Sequence, residues 1–222
     1  MQAIPKSRYF TELSGMETVT AYQLADFMRE DTACRRLLLH CCCAPCSGAL
    51  VEVLLASGLK PTLYYSNSNI YPAAEYQKRR DECRRFASEC GIPFAEDEYC
   101  HEAWLRAVEG LQDEPERGRR CTKCFSLRLS TAALYAHENG YGLLATTLSS
   151  SRWKNIDDIN AEGMAACSLY DDVEWIPGNW RKAGLQQRRG EIIKERGFYN
   201  QLWCGCEFSQ RTTPSGPLLV QG

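Results

Sequence analysis

The chain has 222 residues, enough for one substantial hydrophobic core, and its formal net charge of −2 at pH 7 gives no general attraction for nucleic acids. No apolar run approaches the roughly 20 residues that span a bilayer, and residues 1–16 contain no apolar segment typical of a secretory signal. We therefore expect a cytoplasmic protein with no membrane partner, in which any RNA-binding surface is a local basic patch.

The chain is predicted to begin with an extension over residues 1–33 that contains one helix, at about 19–29, with Thr18 as its N-cap. The apolar triplet Leu37–Leu39 then predicts a short buried strand, and residues 47–57 predict an amphipathic helix. Four cysteines lie between them, namely Cys41, Cys42, Cys43 and Cys46. These thiols are therefore expected on a strand-to-helix turn.

Strands and helices alternate through the rest of the chain. Strands are predicted at 61–65, 94–99, 141–148 and 173–176, and helices at 73–90, 101–108, 156–167 and 185–196, with a further helix from Cys121 and Cys124 to about 137. This alternation predicts an α/β fold with a doubly wound, mostly parallel, Rossmann-like sheet of about five strands. We expect one catalytic domain over residues 34–210 and a flexible C-terminal tail at 211–222.

The thirteen cysteines need a chemical explanation. Their odd number and the lack of a secretory signal argue against a fully paired disulfide framework. Cys43-Ala-Pro-Cys46 alone would suit a thiol–disulfide oxidoreductase, because a helix N-terminus lowers a thiol pKa, but that chemistry leaves Cys41 and Cys42 idle. Cys121 and Cys124 add a second pair at ligand spacing. Four thiolates from two distant turns favour a [4Fe–4S] cluster over a structural zinc.

Cys204-Gly-Cys206 is a motif of another kind. One intervening residue gives a small, strained disulfide ring, and strained disulfides are the redox-active ones. This spacing favours a redox-active pair, with two more cluster ligands as the alternative. The remaining cysteines have no partner at motif spacing and are predicted as core or helix-face thiols: Cys34, Cys83, Cys90, Cys100 and Cys167.

Several polar and aromatic residues are candidates for substrate contact. Basic groups that could meet phosphates are Arg79, Arg80, Arg84, Arg85, Arg117, Arg119, Arg120, Arg181, Lys182, Arg188 and Arg189. Aromatic residues that could stack on an unpaired base are Tyr71, Trp153, Trp180, Tyr199 and Trp203. His40 has two interpretations, a buried and satisfied histidine or a group that supports the thiols.

Taken in order, these motifs resemble those of the cobalamin-independent epoxyqueuosine reductases, the QueH family. The resemblance covers about residues 36–209. Its segments are His40–Cys46, Asn67–Pro72 with Glu75, Tyr76 and Arg79, Arg120–Phe125, Thr146–Leu148 with Lys154 and Asn155, Asn179–Lys182 with Gln186 and Gln187, and Phe198–Cys206.

The resemblance implies an iron–sulfur oxidoreductase that reduces the epoxide of epoxyqueuosine to the cyclopentene of queuosine, the last step of queuosine biosynthesis. Its substrate would be the wobble position of tRNAs for Asp, Asn, His and Tyr, and its electron donor is not identified by the sequence. The resemblance further implies a [4Fe–4S] cluster on Cys42, Cys43, Cys121 and Cys124, one additional iron with Cys46 as a possible ligand, and a redox-active disulfide between Cys204 and Cys206. It gives Cys41 no role.

Three alternatives remain beside this hypothesis. The chain could be a thiol–disulfide oxidoreductase, or a metal-stabilised module that binds tRNA without catalysis. A tRNA-thiolating enzyme would also combine a parallel sheet, cysteines and tRNA. That class needs a glycine- and serine-rich phosphate loop after the first strand, where this chain carries its thiols, so we expect no ATP site.

Overall fold

A computed structural model describes residues 18–31 and 34–209, with the backbone of 212–213 and 216–217. Residues 1–17 of the predicted extension and most of the predicted tail lie outside this description. The strands are β1 (Leu37–His40), β2 (Thr62–Tyr65), β3 (Phe94–Glu96), β4 (Leu143–Thr146) and β5 (Glu174–Trp175), followed by β6 (Thr212–Thr213) and β7 (Gly216–Pro217). The helices are α1 (Ala21–Glu30), α2 (Ala44–Ala56), α3 (Ala73–Cys90), α4 (His101–Ala107), α5 (Arg119–Glu138), α6 (Ile156–Cys167) and α7 (Leu185–Glu195). Two 3₁₀ turns cover Thr147–Ser150 and Glu207–Ser209.

The first five strands form one parallel sheet in the order β3-β2-β1-β4-β5. Strand β1 lies at its centre, where His40 is in register with Tyr64 of β2 and with Thr146 of β4. The prediction of an α/β fold with about five parallel strands is therefore confirmed. The short strands β6 and β7 pair separately and antiparallel.

The alternation of side chains along β1 divides the core into two layers. Leu37, Leu39 and Cys41 face the layer that contains residues of α1, α2, α3 and α7, whereas Leu38 and Cys42 face the layer of α5 and α6. Successive residues of an extended chain point to opposite faces, so neighbouring cysteines of the turn enter different environments. This alternation decides which thiols reach the site.

Helix α1 begins two residues later than the sequence predicted. Its N-cap is Thr20, whose hydroxyl accepts from Gln23 N at 3.3 Å, while Gln23 Oε1 accepts from Thr20 N at 2.8 Å. The expectation of Thr18 as the cap was wrong, because only Thr20 has a glutamine three residues on to complete a capping box. The helix packs into the core through Leu24 and Phe27.

Helix α2 was predicted as amphipathic, and this is also wrong. It starts at Ala44, three residues early, with Pro45 in its first turn, and its first eight residues are all buried. Pro45 suits this position because the first helical turn needs no donor from it. This first part of the helix is covered by neighbours on all sides, so its sequence does not need a polar face there. No helix among the described residues is long and apolar enough to cross a membrane.

Candidate active site

A cavity of about 370 Å³ lies at the carboxyl edge of the sheet, next to the turn that follows β1. Seven cysteines line it, and they come from three distant stretches: Cys42, Cys43, Cys46, Cys121, Cys124, Cys204 and Cys206. The fold thus brings every cysteine proposed from the sequence as a ligand or redox residue to one enclosed space. All of them are free thiols.

The first wall is the turn from β1 into α2. The thiols of Cys42, Cys43 and Cys46 lie within 4.8 Å of one another. Cys43 is the N-cap of α2 in an extended conformation, and Cys46 is in the first helical turn. The turn is fixed to the 3₁₀ segment after β4, since Cys42 N donates to Thr147 Oγ1 at 3.0 Å and Ser150 Oγ donates to the Cys46 carbonyl at 2.7 Å.

These three thiols interact strongly with one another. Hydrogen bonds with Cys43 and Cys46 hold the pKa of Cys42 well below its ordinary value, against the effect of burial. The same contacts raise the pKa of Cys43, and the pKa of Cys46 rises to about 12 through its hydrogen bond to Cys42. These contacts favour the thiolate form on Cys42, with the thiols of Cys43 and Cys46 as its hydrogen-bond partners. A soft anionic donor set at a helix N-terminus suits iron–sulfur ligation.

The second wall is the N-terminal part of α5. Gly118 is its N-cap, Cys121 and Cys124 lie in the following turns, and Cys124 is buried. Cys121 Sγ accepts a hydrogen bond from Arg117 N at 3.3 Å. Burial raises the pKa of Cys121, and the Arg117 N–H opposes that shift. A backbone donor of this kind stabilises a ligating thiolate.

The third wall is the segment from Asn200 to Cys206. Arg79 holds it, because Nη1 donates to the Cys204 carbonyl at 3.1 Å while Nε donates to Glu75 at 2.6 Å. Gly205 has a φ of +102°, and Tyr71 N donates to its carbonyl at 2.9 Å. A side chain at Gly205 would strain the backbone and meet Ile70 at 2.9 Å. The glycine between the two cysteines is therefore required by the conformation.

The cavity is strongly cationic. Its seven basic residues are Arg79, Arg117, Arg120, Arg128, Arg152, Lys154 and Arg189, against the single carboxylate of Glu116. Arg128 donates to Asn67 Oδ1 and to the Ser66 carbonyl, and the Asn67 amide donates to the Cys41 carbonyl at 2.9 Å. This field stabilises thiolates inside and attracts an anionic ligand from outside.

His40 is a buried, satisfied histidine. Its Nε2 donates to the Ser66 carbonyl at 3.1 Å, so Nδ1 is the acceptor, 2.7 Å from the Thr146 hydroxyl. Burial lowers the pKa of His40 to about 3, which keeps the ring neutral. His40 therefore joins β4 and the loop after β2 to the centre of the sheet, and it does not line the cavity.

Cys41 points away from the cavity. It is fully buried, with its Sγ 3.0 Å from Ser47 Oγ and 3.4 Å from the thiol of Cys83 on α3. Cys34 and Cys100 are exposed, Cys90 is half-buried and Cys167 is buried in the layer of α6. Cys83, Cys90 and Cys167 agree with the prediction of core or helix-face thiols, whereas Cys34 lies in the connection between α1 and β1 and Cys100 is the N-cap of α4.

The basic and aromatic candidates divide between cavity and surface. Arg80, Arg84, Arg85 and Arg188 form ion pairs with nearby carboxylates and lie outside the cavity lining. Arg120 is buried and donates to the carbonyls of Leu111, Gln112 and Glu114, so it also fixes the loop before α5. Trp180 is a core residue, whereas Trp153 and Trp203 line the cavity.

Sequence reasoning missed two contacts at the site. Lys154 Nζ lies 3.0 Å from Cys204 Sγ, and Arg79 binds the Cys204 carbonyl. Both residues fall within the resembling motifs, but no local pattern joins them to a cysteine so far along the chain. Trp104 was also missed; it is fully buried, lines the cavity and carries an indole Nε1 that has no hydrogen-bond partner among the described residues.

Comparison with known proteins gives one family. The family model described as epoxyqueuosine reductase QueH matches residues 37–212. Curated relatives with that name are 49% identical over 178 residues in Histophilus somni, covering 80% of this chain and 73% of the relative, and 46% identical over 178 residues in Acinetobacter baylyi, covering 80% and 82%. The Haemophilus influenzae relative is 48% identical over 176 residues, covering 79% and 72%.

One example from the solved structures shows a similar fold. It is the U34-tRNA thiolase NcsA from Methanococcus maripaludis with its [4Fe-4S] cluster, with a TM-score of 0.56 over 85% of this chain and 67% of that chain. At 13% identity this likeness concerns the fold alone. The family match and the identity of the relatives over most of their length carry the assignment: this chain belongs to the epoxyqueuosine reductase QueH family.

Proposed function

We propose that this epoxyqueuosine reductase works in the cysteine-lined cavity and there converts the epoxide of epoxyqueuosine in tRNA to the cyclopentene of queuosine. The observation that carries the proposal is the convergence of seven cysteines from three distant stretches on one cationic cavity. Structural thiols do not need such a space. A reaction that consumes electrons needs the thiols, and a bulky anionic substrate needs the volume and the positive charge of the cavity.

The donor set fits an iron–sulfur cluster. Cys42, Cys43, Cys121 and Cys124 would hold a [4Fe–4S] unit between the turn after β1 and the start of α5, which leaves Cys46 for an additional iron. When bound, the cluster would supply single electrons and the additional iron would supply a Lewis-acidic centre for the epoxide oxygen. The N–H of Arg117 and the hydroxyl of Thr147, 3.4 Å from Cys42 Sγ, would stabilise the ligating thiolates.

The Cys204–Cys206 pair would supply the two electrons of each turnover by cycling between dithiol and disulfide. Removal of an epoxide oxygen consumes two electrons and two protons and releases water. A dithiol stores that number of electrons in one place. Arg79 holds the pair against the cavity through the Cys204 carbonyl.

The mouth of the cavity suits a splayed anticodon nucleotide. Trp153 and Leu202 line it and are 60% and 73% exposed. Arg152 lies over the Trp153 ring at 5.9 Å, and Arg189 is a further cation of the lining. Aromatic faces that stack on bases, with basic groups for the phosphates, are typical of single-stranded RNA sites. The substrates would be the tRNAs for Asp, Asn, His and Tyr.

An anaerobic assay tests the proposal. tRNA that contains epoxyqueuosine is incubated with the reconstituted protein and a chemical reductant, and the nucleosides are measured by mass spectrometry. We expect conversion to queuosine, a visible iron–sulfur absorbance that bleaches on reduction, and loss of both in Cys121→Ser. The matched control is Cys34→Ser, which removes an exposed thiol outside the cavity and keeps both.

Two results would contradict the proposal. A colourless zinc protein that is stable to reduction would assign the thiols to structure. Full turnover in Cys121→Ser would place the chemistry elsewhere.

Retention of activity over many turnovers in Cys204→Ser would remove the dithiol from the scheme while leaving the cluster in it.

A further inference from the structure

Lys154 makes a specific contact with one of the two redox cysteines. Its Nζ lies 3.0 Å from Cys204 Sγ, inside the cavity. Both ends of this contact are held in place, since Arg181 Nη2 donates to the Lys154 carbonyl at 2.7 Å and Arg79 Nη1 donates to the Cys204 carbonyl at 3.1 Å. The ammonium is therefore directed at this sulfur by its surroundings.

Cys206 has a different environment. It packs with Trp104, Val108 and Cys124 in a small apolar cluster. The Lys154 ammonium contacts Cys204 Sγ and leaves Cys206 in this apolar cluster. Burial raises the pKa of Cys204, but the charge and hydrogen bond of Lys154, together with Arg128 and Arg79, bring that pKa below its ordinary value. The two cysteines of the motif are thus chemically unequal.

We propose that Lys154 fixes Cys204 as the thiolate of the redox pair, with Cys206 as the thiol, and that Lys154 carries the second proton that the reaction consumes. This inference rests on the proposed function, in which the pair supplies the electrons for epoxide reduction. It assigns a role in the reaction to a lysine that lies outside the cysteine motifs.

The proton balance explains why a second carrier is needed. Oxidation of one thiolate and one thiol to a disulfide releases two electrons and one proton, from Cys206. Reduction of the epoxide breaks both C–O bonds, forms the alkene and releases water, which takes two electrons and two protons. The missing proton comes from the Lys154 ammonium, which becomes a neutral amine. Charge is conserved, because a thiolate and an ammonium are replaced by two neutral groups.

The surroundings of Lys154 favour this release once Cys204 is oxidised. In the reduced pair the Cys204 charge raises the pKa of Lys154 against the effect of burial. Disulfide formation removes that charge, and burial and the Arg128 guanidinium then both lower the pKa, opposed by the charge of Cys42. A two-electron donor, such as a small dithiol, restores the starting state by delivering two electrons while solvent returns two protons.

Alkylation of the thiols tests the first part. The reduced, cluster-loaded protein is treated anaerobically with iodoacetamide across a range of pH, and labelling of Cys204 is followed by peptide mass spectrometry. We expect Lys154→Met to slow this labelling by about tenfold or more near neutral pH, which corresponds to a rise of one pKa unit. Lys154→Arg, which keeps the charge, should retain the wild-type pH profile.

The matched control is Lys60→Met, which removes an exposed lysine outside the cavity lining and should leave the profile unchanged. An unchanged profile in Lys154→Met would overturn the assignment of the thiolate, and so would faster labelling of Cys206 than of Cys204 in the wild type. A lysine with only a structural role would change the labelling of both cysteines together. The difference in labelling between Cys204 and Cys206 therefore decides the test.

Acylation of lysines tests the second part. An amine-acylating reagent is applied to the reduced protein, to the oxidised protein and to Cys204→Ser, with the exposed Lys60 as the internal reference. We expect Lys154 to be acylated several-fold faster in the last two, where its anionic partner is missing. Equal rates in all three would overturn the proton role. Neither labelling experiment depends on turnover, so a failed tRNA assay with positive labelling would reject the proposed function alone.

Discussion

At the scale of single residues, the site depends on basic side chains that hold backbone carbonyls in place and also balance negative charge in the cavity. Arg79 is 3% exposed, forms a buried ion pair with Glu75 and holds the Cys204 carbonyl. Arg128 similarly fixes Asn67 and, through it, the Cys41 carbonyl. A buried guanidinium has several donors in a fixed plane, so one side chain can join a carboxylate, a backbone carbonyl and the field of the cavity.

Trp153 provides a residue-scale prediction. Trp153→Ala should weaken binding of substrate tRNA by about 1–3 kcal/mol, or roughly 5- to 150-fold in Kd, because a base loses its stacking partner. Fluorescence anisotropy of labelled tRNA at a fixed salt concentration measures the change. Trp153→Phe should keep most of the affinity.

The control for this prediction is Leu169→Ala. Leu169 is 72% exposed, and it does not line the cavity. An unchanged Kd in Trp153→Ala, or an equal loss in Leu169→Ala, would show that the aromatic rim does not contact the RNA.

At the scale of elements, the segment that carries the proposed redox pair depends on one glycine. Gly205→Ala should lower turnover by tenfold or more, because the new Cβ would lie 2.9 Å from Ile70 and 3.1 Å from Arg79 Nη1 in a backbone with positive φ. The segment would have to move, and with it the Cys204 thiol. The tRNA assay gives the rate, and urea unfolding gives the stability.

Gly197→Ala separates the effect of a positive φ from the effect of close packing around the new Cβ. Gly197 also has a positive φ, of +59°, but a Cβ there would have nothing within 4 Å. It should cost about 1–2 kcal/mol of stability and leave turnover intact. If the two variants lose turnover equally, close packing around Gly205 is not what positions the pair.

The elements also show how far sequence reasoning reaches. Helices α3 and α6 have the predicted bounds. Gly91 is a clear stop signal for α3, and Asn155 is a clear start signal for α6. Strand β3 ends at Glu96, three residues before the predicted end, because pairing with the short β2 ends there. Helix α2 shows the limit, because its burial depends on helices that arrive later in the chain.

The same distinction applies to the site. Cysteine spacing predicted which thiols line the cavity, because the spacing of each cysteine pair is a local property of its turn. Lys154 and Cys204 are fifty positions apart in the sequence, so no local pattern predicts their contact. His40 was left with two interpretations for the same reason, since its two partners lie on other strands and loops.

At the scale of the whole molecule, the proposed cluster would link the turn after β1 to the start of α5. Removal of iron with a chelator should lower Tm by about 5 °C or more, because a covalent link across a loop of this size contributes a few kcal/mol. Anaerobic scanning calorimetry of the loaded and stripped protein measures the difference. In Cys121→Ser the chelator should have little effect. Identical Tm values for loaded and stripped wild type would exclude a cross-linking cluster.

The order of the cavity walls along the chain has a consequence for biosynthesis. A ribosome delivers the turn with Cys42, Cys43 and Cys46 first, α5 second and the Cys204–Cys206 segment third. Strand β4, which pairs with β1 at the centre of the sheet, emerges only after α5. The first two walls therefore cannot be placed against a sheet in which β1 and β4 are paired until Thr146 has left the exit tunnel. The segment with Cys204 and Cys206 is the last of the three walls to emerge, so it reaches a cavity whose other two walls have already left the tunnel.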